Sequence, residues 1–163
     1  MPDSTNPPGF IDTFLDEMGQ CIRESTKDVI EEKTEDLIEG IAEKEFKPSS
    51  RFFDALGNYN RALDKSENAG ENIDAFERAL FQFLKKQCEE IVSHLLSEII
   101  DKGIDYLSEG LEYLVRALED LFERLTDKLE AYFEEIKERI EREWEPQAFA
   151  GKLEEVGGVR AIG

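Results

Sequence analysis

The sequence predicts an all-α, elongated protein, an expectation that rests on three observations. Apolar residues recur every eleven positions: Leu96, Leu107, Leu118, Leu129 and Ile140 form one row, Ile100, Leu111, Phe122, Phe133 and Trp144 a second, and Leu114, Leu125 and Ile136 a third. Eleven residues over three turns is about 3.67 per turn, which keeps one apolar stripe nearly straight, or weakly right-handed, along a long helix. Glutamate, a good helix former, dominates the acids. Opposite charges also stand four apart, in Glu112–Arg116, Asp120–Arg124, Glu135–Arg139 and Glu138–Arg142, as on the solvated side of a helix.

Residues 1–8, with Pro2, Pro7 and Pro8 among polar residues, read as a mobile arm. A first amphipathic helix is predicted over about 10–46, its stripe running through Ile11, Leu15, Met18, Ile22, Val29, Leu37 and Ile41 and interrupted by Thr26 and Lys33. Pro48 stops it, because proline supplies no backbone donor. Ser49 or Ser50 then caps a short connecting helix over 51–65, whose apolar face is Phe52, Phe53, Leu56, Tyr59 and Leu63. From Pro48 to Gly70 three acids (Asp54, Asp64, Glu67) balance three bases (Arg51, Arg61, Lys65), so this helix is either a neutral contact surface in an acidic chain or a cap on the core.

Ser66 to Gly70 reads as a loop, with Asn72 or Asp74 capping one very long C-terminal helix over 72–145 that Pro146 ends. Unbroken, it would span roughly 110 Å at about 1.5 Å per residue. Gly103 is the candidate break, since Lys102-Gly103-Ile104 resembles a helix C-cap. The apolar rows nevertheless keep phase across it, and Gly103 shares a row with Val92, Leu114, Leu125 and Ile136. That phase favours a continuous helix, with Gly103 and Gly110 as points of close approach or bending. Residues 9–146 are thus expected to form one helical domain. Residues 147–163, with four glycines and no net charge, are expected to be a flexible tail or a docking segment.

A net charge of −19, from 39 acids against 20 bases, argues against direct binding to nucleic acid or an anionic membrane, which needs clustered Lys and Arg. It suits a basic protein partner. Cys21 and Cys88 fall near apolar faces and are expected as buried thiols rather than a disulfide or metal pair. No secretory signal and no membrane-length apolar run is visible, so the expected compartment is the cytoplasm of a cell or an infected host. Phosphate-loop, dinucleotide, nucleophile-elbow and zinc-hydrolase motifs are absent. His94, between Glu90 and Glu98 at i±4, lacks the Glu-x-x-His spacing of helical di-metal sites. No catalytic residue, cofactor or metal is therefore expected.

An apolar stripe of this length needs covering. The expected interface, to a second copy or another protein, is Leu96, Ile100, Gly103, Leu107, Leu111, Leu114, Leu118, Phe122, Leu125, Leu129, Phe133, Ile136, Ile140 and Trp144. The function that follows is non-enzymatic: an assembly, scaffold or adaptor element that self-associates through the stripe. The alternative is an acidic inhibitor that imitates a nucleic acid before a basic partner, as a phage or viral counter-defence protein would. Bases interleaved at i+4 weigh against the continuous row of carboxylates such a mimic needs.

Overall fold

Helices make up the secondary structure of a computed structural model that describes Thr13, Asp16, Gln20, Glu24, residues 48–103, Asp105 and residues 108–158, the side chains of Ile99 and Ile100 excepted. The class is all-α, with no strand among the described residues. Five helices follow in order: α1 (Ser50–Asp64), α2 (Ala69–Lys102), α3 (Glu109–Ile136), α4 (Ile140–Glu143) and α5 (Pro146–Glu154). The arm over 1–8, the stripe of the first predicted helix, Cys21, Leu107 and residues 159–163 lie outside the described residues. Thr13, Asp16, Gln20 and Glu24 are helical and exposed, with the Gln20 amide donating to Glu24 at 2.9 Å.

α1 begins where the sequence places it. Ser49 is extended, and its hydroxyl accepts the Phe52 amide proton, satisfying one of the donors a helix start leaves without a partner. Phe52, Ala55, Leu56, Tyr59 and Leu63 repeat at three- and four-residue spacing and are buried. The neutral helix is thus a core element. After it, Ser66 is buried but satisfied: its hydroxyl donates to the Leu63 carbonyl at 2.6 Å and accepts from the Asn72 amide at 2.9 Å. Asn72 therefore braces the loop from inside α2, which starts at Ala69 instead of being capped by Asn72 or Asp74.

The long C-terminal helix is three helices and two breaks. At the first break Gly103 has φ +64, a left-handed conformation, and is exposed, so it ends α2 instead of facing a packed neighbour. Lys102 in the last turn bonds Glu98 at 3.0 Å, beside the negative end of the helix dipole. The phase of the rows misleads here for a physical reason. Two helices with the same period each need their own stripe, and with under four residues per turn the phases agree by accident roughly one time in four. Gly110 is buried, in the first turn of α3. The second break, at 137–139, carries no glycine or proline; it lets Ile140 and Trp144 turn inward, with α4 packed on α1. Pro146 starts α5 rather than ending a helix, because its fixed φ and missing N–H suit a first helical position.

Two glycines separate conformational need from conformational waste. A Cβ would meet nothing within 4 Å at either Gly103 or Gly70, but only Gly103 is left-handed. Gly103→Ala is expected to lower stability by about 1 kcal/mol, and Gly70→Ala, inside α2, to raise it by about 0.5 kcal/mol. Thermal melts of both variants check this pair of opposite signs.

The contacts divide the chain into two compact units, one made of residues 1–10, 48–83 and 122–157, the other of residues 11–47, 84–121 and 158–163. In the second, Leu84, Cys88, Ile91, Val92 and Leu95 of α2 are buried, as are Tyr113, Leu114, Ala117, Leu118 and Leu121 of α3. Burial raises the Tyr113 phenol above its ordinary value, and the Glu98 carboxylate of α2 raises it further. His94 is exposed on α2, and no group of three or more metal-ligating side chains occurs among the described residues.

The core of the first unit is aromatic. The Tyr59 ring stacks on Phe76 at 5.0 Å and lies 5.7 Å from Phe149, which in turn sits 5.0 Å from Phe76 and 6.1 Å from Trp144. Phe52 meets Phe122 edge-on at 4.9 Å. α5 closes this core through Phe149 and Leu153, with Val156 just beyond it, all buried. The segment expected as a flexible tail is therefore part of the fold through Val156. Its apolar residues sit at i, i+4 and i+7, a helical spacing that its glycines obscured.

Candidate binding cavity

The end of α3, the 137–139 turn, α4 and the start of α5 enclose a half-open cavity of about 320 Å³ in the first unit. The floor is apolar: Tyr132 and Ile136 from α3, Ile140 from α4, Trp144 from the extended link and Ala148 from α5. Charged groups form the remaining lining, with Glu135, Arg139, Glu143, Glu145 and Lys152. The link positions Trp144 because Glu145, which precedes a proline, is driven extended, and Trp144 is extended with it. A space of this size lies at the lower end for ligand sites and suits one side chain or a small molecule.

Ion pairs fasten α5 beside the cavity. Lys152 Nζ lies 3.8 Å from Glu135, 3.7 Å from Glu155 and 6.0 Å from the centre of the Tyr132 ring, while Lys128 bonds Glu155 at 3.1 Å. Arg124 adds a neutral anchor, its guanidinium donating to the Val156 carbonyl at 2.8 Å. On the α1 side, Arg51 bonds Asp127 at 2.8 Å and also Glu130. Of the bases that the sequence assigns to i, i+4 pairs along one helix, Arg124 thus reaches a different segment. Glu135 pairs with Lys152 and not with Arg139, because the turn at 137–139 removes Arg139 from helical spacing.

Two carboxyls mark opposite pH behaviour. The hydrogen bond from Lys128, then its charge and that of Lys152, hold Glu155 below the usual carboxylate range. Its stabilising contribution is present above the unfolded value and disappears as pH falls through the folded one. Burial, and then the Asp74 charge, raise Glu77, whose ionisation opposes folding increasingly as pH rises from the ordinary carboxylate value through the raised one. Glu155→Gln is expected to melt lower than the parent at neutral pH, and Glu77→Gln to melt higher. Both differences should shrink in acid, which melting curves from pH 7 down to about 3 will check.

Burial in the aromatic floor raises the Tyr132 phenol; Arg139 opposes the shift, and Glu135 and Glu145 reinforce it. Two polar atoms of this unit's aromatic core are buried without a hydrogen-bond partner among the described residues, the Tyr59 hydroxyl and the Trp144 indole N–H. Burial pushes the Tyr59 phenol far up. Thr126, by contrast, is buried and satisfied, its hydroxyl donating to the Phe122 carbonyl at 2.7 Å.

Of the expected interface, Leu114, Leu118, Phe122, Leu125, Leu129, Ile136, Ile140 and Trp144 are buried within the chain's own units, and Leu96, Leu111 and Phe133 are half-buried. Gly103 is exposed, and Leu107 and the Ile100 side chain lie outside the described residues. These residues are core because the break at Gly103 lets the chain cover its own stripe. Only Ile136, Ile140 and Trp144 reach the cavity. Tyr132, Glu143, Glu145 and Lys152 were not singled out; the signal that points to them is a tryptophan directly before Glu-Pro at a helix boundary. Comparison with known family models, curated proteins and solved structures finds no match to the chain.

Proposed function

We propose that the chain is a non-enzymatic protein–protein assembly element, an adaptor that meets a basic protein partner through its acidic exterior. One observation carries this reading. The stripe from Leu114 to Trp144 is buried within the chain except for half-buried Phe133, while Glu119, Glu123, Asp127, Glu130, Glu134, Glu138 and Glu141 stay exposed on a molecule of net charge −19. No helix among the described residues is long and apolar enough to cross a membrane. The compartment assumed is the cytoplasm of a cell or an infected host.

The acidic inhibitor is the second reading. It is favoured by the bond of Lys128 to Glu155, which draws that base toward residues beyond α5 and away from the carboxylates of α3. Co-purification from the native host at low and high salt tests both readings. Partner binding should weaken steeply with salt, because exposed charges are screened and apolar burial is not. Charge reversal at Glu134, Glu135, Glu138 and Glu141 should abolish it while the helices remain folded. A partner that normally binds nucleic acid selects the inhibitor. A partner retained at high salt overturns both.

A further inference from the structure

We infer that the cavity between α3, α4 and α5 receives an arginine side chain from the basic partner, an assignment that rests on the adaptor reading and gives it a contact point. The charge on its lining is unequal. Lys152 is matched by Glu135 and Glu155, so Arg139 alone faces Glu143 and Glu145, neither of which has a salt-bridge partner among the described residues. The site is thus short of one positive charge, in a chain whose whole field attracts cations.

The walls fit the same guest. Tyr132 and Trp144 put two aromatic rings in the lining, and an ammonium group, that of Lys152, already lies within cation–π range of Tyr132. A guanidinium is planar and weakly hydrated, stacks on such rings, and can bond two carboxylates at once. The Trp144 indole marks a strained part of the same wall: the residue is only 7% exposed, it lines the cavity, and its buried N–H has no acceptor among the described residues. Buried indole donors normally find one. A basic peptide supplies the cationic side chain that the two glutamates lack.

Trp144 is the one tryptophan in the sequence, so its emission reports on this cavity alone. The probe is a blocked Gly-Arg-Gly tripeptide, with Gly-Lys-Gly and Gly-Glu-Gly as companions. The arginine peptide should shift the emission saturably, the lysine peptide should bind more weakly, and the glutamate peptide should leave it unchanged. E143Q/E145Q should weaken arginine binding about tenfold, whereas E119Q/E123Q, exposed acids that do not line the cavity, should alter it by less than about twofold. R139Q should tighten binding by relieving like-charge repulsion. No saturable shift with the arginine peptide, or equal losses in the two glutamate pairs, overturns the assignment; equal losses would mean general attraction to a polyanion. A chain that holds its partner in a salt-sensitive way but ignores the peptide keeps the adaptor reading and loses this one.

Discussion

Phe149→Ala is expected to destabilise the first unit by about 3–5 kcal/mol, the cost of truncating a buried phenylalanine and leaving a cavity. The ring is 1% exposed and within 6.2 Å, centre to centre, of Tyr59, Phe76, Tyr132 and Trp144, so it joins α1, α2, α3 and the link to α5. Urea unfolding measures the loss, and a red shift of Trp144 emission in the folded variant would locate it. Gln147→Ala, exposed on the same helix, should change stability by under about 0.5 kcal/mol. If both variants unfold like the parent, α5 does not close the core.

Leu118→Asp should cost on the order of 5 kcal/mol, enough to abolish a cooperative melt in a domain of ordinary stability. Leu118 is 1% exposed between buried Leu114 and Leu121 on α3, where a carboxylate would have neither water nor a cation. Glu119 beside it is exposed, and Glu119→Gln should leave the melting temperature nearly unchanged. Equal tolerance of the two changes would mean that α3 presents a different face to its unit.

The faces of the helices could be read from the sequence, whereas the way the helices cover one another could not. Periodicity put Leu118, Phe122, Leu125 and Leu129 inside and Glu119 and Glu123 outside, because burial along one helix depends on local spacing alone. Chain reversal at Gly103 depends on whether a stripe finds its cover within the chain or beyond it, and spacing is the same in both cases. Lys102-Gly103 carried the stop signal, but the phase of the rows pointed the other way. The break at 137–139 has no local mark, since it is imposed by burying Ile140 and Trp144. The cavity was hidden for the same reason. Its floor belongs to the stripe, but its lining charges come together only once α3 has ended and α5 has turned back.

The composition of the first unit has a consequence for the order of events in synthesis. Its described segments, 48–83 and 122–157, are separated along the chain by residues 84–121, so most of its aromatic contacts join residues far apart in sequence. Tyr59 and Phe76 leave the ribosome well before Phe149. Closing a long loop is entropically costly and slow, and apolar surface stays open until it happens. Until α5 has emerged, α1 and the first turns of α2 hold uncovered aromatic rings. During that interval a net charge of −19 disfavours contact between exposed copies, because like charges repel.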